Sequence, residues 1–396
     1  MTARNTPTTF GLIARSFHWL TALVMLTAIP LGVIANDMAT GPDTIATKAQ
    51  LFSIHKTLGV AAFFLGFARI LWALSQPRPA ALHPGRRLET APADLIHWML
   101  YLSLMIVPLS GWIHHAAVDG FAPILWPFGQ GLPMVPKSET VATIAGAAHW
   151  IFTKVLVASI LLHIAGALKH HFIDRDDTLR RMTHGVPAPA VATPQTHRMA
   201  PLLLALGIYA TGAVAALWSA PTTEQVTELT SPSPQTGGNW QVQSGSLGFG
   251  VQQMGAGVEG SFATWTAEIT HDDSVTTGET GQVKVTIDLA SLTLGSVTDQ
   301  AKGPEFFDVA THPTAQFDAK LTSTPEGRRS IGTLTLHGQS QPITLPFTLT
   351  ITGDTAQMTG EITLDRRDFG IGAGYADEAT VGFAVTVKIA LTATRT

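Results

Sequence analysis

His149 and His163 stand fourteen residues apart in one unbroken apolar stretch, Ala145 to His171, which reads AGAAHWIFTKVLVASILLHIAGALKHH. As an α-helix this stretch turns ~100° and rises ~1.5 Å per residue. Fourteen residues therefore return almost to the same face and climb roughly 21 Å. One helix thus offers two imidazoles to the same neighbours at two depths. A helix of about 20 apolar residues crosses the ~30 Å hydrocarbon layer of a bilayer. The chain must therefore fold, in part, around a membrane helix that carries polar groups inside it.

Four other stretches have comparable length and polarity: Phe17–Ile34, Leu51–Leu74, Leu95–Ala117 and Ala200–Trp218. The first has no small-residue cleavage site, so it reads as a retained signal-anchor. Composition supports a membrane protein, with 45% hydrophobic and only 13% charged residues. The charge is also unevenly spread. Residues 1–198 hold 15 Lys+Arg against 9 Asp+Glu, whereas residues 220–396 hold 9 against 19. Twelve of the 15 histidines lie at or before His197. Two domains with different solvents are expected. The absence of cysteine excludes disulfides, thiolate metal sites, covalent c-type haem and iron–sulfur clusters.

The connections between spans set the orientation. Arg4 and Arg15 precede the first span, and Arg78, Arg86 and Arg87 lie between the second and third. Lys169, Arg175, Arg180, Arg181 and Arg198 lie between the fourth and fifth. The other two connections carry only Lys48 and Lys137 beyond the helix ends. The positive-inside rule puts the N-terminus in the cytoplasm, and five spans put the C-terminal half outside, in the periplasm of a bacterium. With this topology the histidines fall into levels. His55 and His149 share the outer level, and His18 and His163 the inner one. Each pair can supply two axial nitrogens to one iron, which makes two stacked haems the expected cofactors. A lone intramembrane histidine can merely satisfy a neighbour, but two level-matched pairs are hard to explain as packing. His97 is level with the inner pair and can bond a propionate, a quinone headgroup or simply a lipid-facing water. Arg69, fourteen residues after His55, and Lys154, just below His149, are candidate propionate partners, unless Arg69 simply snorkels to the cytoplasmic headgroups.

The stretches Arg15-Ser-Phe-His-Trp-Leu20, Ser53-Ile-His-Lys-Thr-Leu-Gly59 with Arg69 and Pro77, Leu95-Ile-His-Trp98, Pro108-Leu-Ser-Gly111 and the His149…His163 helix running on to Asp176 resemble the bacterial cytochrome b561 family. The resemblance covers about residues 10–185 and touches every helix of a four-helix di-haem bundle. It implies electron transfer between two b haems and a quinone pool, with ubiquinone or another isoprenoid quinone as partner, in the bacterial inner membrane. It does not choose between quinol and superoxide as donor. Such a protein is an electron-transfer oxidoreductase and can form a homo-oligomer. Nothing in the chain points to nucleic acid.

The fifth span, 199–218, has no histidine or charge and reads as a tether beside that bundle. Its Gly207 and Gly212 permit close helix contact, but not at GxxxG spacing. Residues 219–238, rich in Thr, Ser, Pro and Glu, read as a flexible linker.

From Asn239 the pattern changes to period two. Val283, Val285, Ile287 and Leu289 alternate with polar residues, as do Leu345, Phe347, Leu349 and Ile351, and the stretch from Val381 to Leu391. About eight strands with almost no helix predict an antiparallel sandwich or barrel, broken by a short helix at Gly303–Val309. A closed barrel can enclose one small apolar ligand. Phe249, Phe262, Trp265, Phe306, Phe307, Phe317 and Phe347 are candidates to line it, unless they simply fill the core. No catalytic triad, paired-acid cluster or metal-ligand spacing is visible, and His271, His312 and His337 fall on loops or strand ends.

Gly260-Ser-Phe262, Asp299-x-x-Lys302 leading to Glu305-Phe-Phe-Asp-Val309, His312-Pro-Thr-Ala-Gln-Phe317, Gly332-Thr-Leu-Thr-Leu-His-Gly338 and Arg367-Asp-Phe-Gly-Ile371 resemble the YceI-like family of lipocalin-shaped periplasmic proteins. The match spans 239–394. Gln253-Met-Gly255 departs from the family's frequent His-Leu-Gly. The resemblance implies an isoprenoid lipid tail in the barrel at 239–396. The fusion then predicts an electron carrier whose barrel holds a quinone tail near the outer haem. Two alternatives compete: a lipid carrier module anchored by a regulatory cytochrome, and a cytochrome subunit serving a reductase.

Overall fold

The computed structural model describes residues 2–83, 85–118, 120, 122–125, 127–188, 199–219, 238–295 and 297–396. The linker read at 219–238 lies outside the described residues except at its two ends, as do Arg198 and His197. The chain forms two compact units, one helical and one of strands.

The helical unit consists of α1 (Leu12–Asp37), α2 (Ile45–Leu74), α3 (Arg87–Ala117), α4 (Glu139–Lys169), the short α5 (Thr178–Thr183) and α6 (Met199–Leu217). Five of these helices are long and apolar enough to cross a membrane. Their outward residues are large and apolar; Leu23 is 64% exposed and Leu161 62%. Such a surface needs lipid rather than water. Polar groups inside the spans are satisfied locally: the Thr21, Thr57, Thr153 and Ser159 hydroxyls each donate to the carbonyl four residues earlier. Helix α4 begins at Ser138, whose hydroxyl accepts the Val141 N–H at 3.3 Å. It ends in a π-helical turn, His170–Asp174, closed by Arg175 in the left-handed conformation.

The basic connections gather at one end of the bundle. Ala80 N–H donates to Pro7 O at 2.8 Å, and Ala188 N–H to Thr8 O at 2.9 Å. The N-terminal segment, the α2–α3 connection and the segment after α4 therefore share one face, as the charge distribution predicts.

Helix α6 packs on α3 and α4. Tyr209 is buried, its hydroxyl bonded to Ser103 Oγ and donating to Met99 O at 3.2 Å. Its ring stacks on Phe152 at 4.9 Å. Of the two glycines, Gly212 makes the close approach: a Cβ there would lie 2.6 Å from Phe152 Cε1, whereas one on Gly207 would meet nothing within 4 Å. The fifth apolar helix is therefore built into the bundle and is more than a tether beside it.

The second unit is a closed antiparallel barrel of eight strands: β1 (Trp240–Gln253), β3 (Trp265–His271), β4 (Gly278–Asp288), β6 (Thr314–Thr324), β7 (Gly327–Leu336), β8 (Gln339–Thr352), β9 (Thr355–Asp365) and β10 (Val381–Arg395). Pairing of β1 with β10, from Trp240↔Arg395 to Gln253↔Val381, closes the ring. Closure removes the exposed edges of a sheet. Strand β2 (Ala256–Phe262) pairs with the far half of β1, and a two-residue β5 (Leu292–Thr293) pairs with β2. The β1–β2 turn uses Met254 and Gly255, both at positive φ, so the departure at Gln253-Met-Gly255 is a tight primed turn. The expected short helix lies earlier than predicted, as α7 at Thr298–Lys302. Gly303 and Pro304 end it, since neither favours continuing a helix.

Candidate functional site: two histidine pairs and an apolar cavity

Helix packing brings His55 and His149 together. The rings of His55, on α2, and His149, on α4, have centroids 6.3 Å apart with planes at 81°. Two imidazoles bound to one metal at roughly 2 Å, each with its centroid ~1.2 Å beyond the nitrogen, stand at most about 6.4 Å apart. The second ring nitrogen of each is fixed. His55 Nδ1 lies 2.8 Å from Ala28 O, and His149 Nδ1 lies 2.8 Å from Val107 O. A carbonyl only accepts, so both Nδ1 atoms carry the proton and both Nε2 atoms are left as bases. One turn beyond each acceptor is a glycine. A Cβ at Gly32 would sit 2.8 Å from His55 Nδ1, and one at Gly111 would sit 2.9 Å from His149 Nδ1. Each ring thus lies in a cradle made of a carbonyl and a missing side chain on the neighbouring helix. These residues fit a bis-imidazole iron.

The inner pair is close as well. His18 on α1 and His163 have ring centroids 6.0 Å apart at 56°. His97 joins them, 5.1 Å from His163. Arg69 Nη2 is 3.3 Å from His18 Nδ1, and its guanidinium lies 5.5 Å from the Tyr101 ring centroid. Lys154 is not drawn in: its side chain is exposed and its ammonium sits over Trp150 at 5.2 Å. It follows His149 by five residues, which places it about 140° round the helix. Depth along the axis was readable from the sequence, and this azimuth overrides it.

Below the inner level the end of α4 is tied to the α2–α3 connection. Asp176 accepts from His170 Nδ1 at 2.7 Å, His83 Nε2 at 3.1 Å and Thr178 N–H at 2.9 Å. Burial raises the Asp176 pKa, but the Thr178 and His170 bonds outweigh it and hold the carboxyl down to about 2. Lys169 Nζ bridges Glu89 at 2.9 Å and Asp174 at 2.8 Å.

The barrel encloses a cavity of ≈ 300 Å³. All seven aromatic candidates, Phe249, Phe262, Trp265, Phe306, Phe307, Phe317 and Phe347, line it. Trp240 and Phe369 line it too, and the rest of the lining is apolar apart from Gln253, His271, Gln300, Ser330 and Arg366. These sit towards two ends. The register His271↔Gly281, Gly281↔Leu321, Leu321↔Ser330 places His271 and Ser330 on one rung. Gln253 faces Val381, whose carbonyl accepts from Arg366. Among the described residues, Gln253 Oε1, His271 Nδ1 and Ser330 Oγ are buried without a hydrogen-bond partner. Burial also lowers the His271 pKa. Arg366 is the residue that sequence reasoning missed. Its guanidinium donates to the carbonyls of Gly382, Ile371, Gly372, Tyr375 and Val381 at 2.5–3.1 Å. An Arg-Arg pair at the end of an alternating strand was the available signal.

The prokaryotic cytochrome b561 family matches residues 9–185, and the YceI-like domain matches residues 240–393. Cytochrome b561 homolog 2 of Escherichia coli (strain K12) is 32% identical over 183 residues, which are 46% of this chain and 95% of that protein. The probable superoxide oxidase CybB of Yersinia pestis is 29% identical over 166 residues, 42% of this chain and 90% of that one. Among solved structures, BcnA of Burkholderia cenocepacia is 29% identical, covers 38% of this chain and 96% of its own, and has a TM-score of 0.36. The chain is a haem b membrane protein of the prokaryotic cytochrome b561 family, joined to a YceI-like barrel.

Proposed function

We propose that the protein carries electrons across the inner membrane through two b haems, exchanging them with a quinone pool. In this reading His55 and His149 hold one haem near the periplasmic side. His18 and His163 hold the other near the cytoplasmic side. Haem b, when bound, supplies a one-electron carrier at each level. The protein's part is to orient the four imidazoles and to exclude water around them. The Nδ1–H bonds to Ala28 and Val107 fix the tautomer and raise the basicity of Nε2. In this reading Arg69 pairs with a haem propionate, and His97 bonds a propionate or a quinone headgroup. The observation that carries the reading is the pairing itself: two imidazole pairs at 6.3 and 6.0 Å, with the members from α4 fourteen residues apart.

The test is a redox-titrated spectrum of the purified protein with its pyridine-haemochrome stoichiometry. Two haems per chain are expected, and one after either His149→Ala or His163→Ala. A single haem in the wild type, or an intact six-coordinate two-haem spectrum in His163→Ala, sinks the assignment. The donor is tested separately. The Yersinia relative is described as a probable superoxide oxidase, so rapid-mixing reduction by superoxide and by quinol should be compared.

For the barrel we propose an isoprenoid chain as ligand, with the N-terminus cytoplasmic and the barrel periplasmic. An aromatic-lined cavity that is apolar between polar ends supports this reading. Organic extraction of the full-length protein discriminates between the competing roles. A redox-active quinone favours electron exchange with a bound tail; a redox-inert polyprenyl lipid favours a carrier module beside a cytochrome.

A further inference from the structure

The barrel brings together three residues that lie apart in sequence: Asp308, His312 and His337. One ligand atom of each lies within 4.8 Å of the other two. No hydrogen bond or ion pair joins these side chains to one another among the described residues. The rings of His312 and His337 are 5.1 Å apart at 68°, inclined rather than stacked.

Three features shape the group as a binding site. His337 occupies the two-residue β7–β8 turn with φ +52°, followed by Gly338 at +72°. Such a turn favours Asn-Gly, and a histidine is accepted less readily. Asp308 is likewise left-handed, at φ +43°. Two of the six non-glycine residues with positive φ among the described residues thus feed one cluster, and strain of this kind gathers at functional sites. His337 Nδ1 is bonded to Phe369 O at 3.1 Å, which protonates Nδ1 and leaves Nε2 as a base. Gly338 makes room for the second ring, since a Cβ there would lie 2.9 Å from His312 Cε1.

We propose that Asp308, His312 and His337 bind a divalent first-row transition ion of the Zn²⁺ type. Two imidazoles and one carboxylate are a ligand set that leaves a coordination position open. Ligand atoms held at about 2.0–2.2 Å from one tetrahedral ion stand about 3.4 Å apart, so the three side chains would draw together from their present spacing when the ion binds. A second grouping of acids and histidine, Glu89, His170 and Asp174, differs in kind. There Lys169 already sits between the two carboxylates. The segment 303–309 carries Phe306 and Phe307 into the cavity lining. An ion at this site would tie that wall to the β7–β8 turn and, through His337, to the turn ending at Phe369.

The experiment uses untagged, haem-loaded, full-length protein freed of loosely bound metal by chelation. Zn²⁺ alone is added by equilibrium dialysis and measured by elemental analysis. One saturable Zn²⁺ per chain is expected, with X-ray absorption showing two imidazoles and an oxygen ligand. Asp308→Asn retains the tolerance for positive φ, and His312→Gln lies outside the turn. Each should lower the affinity at least tenfold while the haem spectrum and the barrel's thermal transition are unchanged. Glu89→Gln should keep the ion. Equal zinc binding by wild type, Asp308→Asn and His312→Gln, or loss of the ion in Glu89→Gln, overturns the assignment.

Discussion

His149 donates its Nδ1–H to Val107 O, and Gly111, one turn further along the same helix, leaves the space that the imidazole fills. The same pair of features recurs around His55, with Ala28 and Gly32 on α1. The outer histidines are therefore positioned by their neighbours' backbones.

Gly111→Ala and Gly32→Ala should each displace an outer imidazole, because the new Cβ falls within 3.0 Å of the ring. Changes beside a ligand of this kind weaken metal binding about 10–100-fold. The expected outcome is loss of outer haem with the inner haem retained, read from haem content and the low-spin spectrum. Gly207→Ala, in open space, should behave as wild type.

Asp176 supplies a pH-dependent clasp. Its folded pKa of about 2 lies below the ordinary carboxylate value near 4. Its contribution to stability is thus complete above the unfolded pKa and lost as pH falls from about 4 to about 2. Asp176→Asn should lower the thermal midpoint at neutral pH. The gap between variant and wild type should close across that acidic window. A gap that is constant with pH would count against the clasp.

Arg366→Met would leave five buried carbonyls without a charged donor. The expected loss is about 3–5 kcal/mol of barrel stability. Lysine, with three donors, should restore part of it. Hydrogen exchange across residues 365–382 during denaturant titration measures both.

The cavity can be filled from inside. Ala267 lines it on β3, between Trp265 and Ile269. Ala267→Phe should expel most of the co-purified lipid and change barrel stability by no more than about 1 kcal/mol, since the ring enters existing space. Mass spectrometry of the extract checks the first effect and thermal unfolding the second. Unchanged lipid content would show that the ligand sits elsewhere.

Much of this arrangement could be read from the chain alone. Spacing anticipated which of His18, His55, His149, His163 and Arg69 lie near one another, because helical rise converts residue number into distance along the axis. Period-two alternation located the barrel strands, and the aromatic candidates proved to line one space. Lys154 shows the limit: five residues of helical rotation from His149 turn it away from the pairs. The glycine–carbonyl cradles depend on which helices touch, and a single sequence does not state that. His312 and His337, read as scattered, meet only through the β6–β7–β8 meander. Arg366 left no periodic trace, since its hydrogen-bond acceptors are all backbone carbonyls.

The docking of α6 bears on how such a fused chain can be taken apart. Tyr209 and Gly212 lock the fifth helix against Ser103 and Phe152, and Phe152 follows His149 by three residues. Shortening the chain before Met199 would strip a wall from the bundle and expose Phe152, whereas ending it after Ser219 would leave that wall standing. The natural seam for recombining this cytochrome with other C-terminal modules therefore lies beyond α6. The fifth helix should be inherited with the haem-binding helices rather than with the barrel.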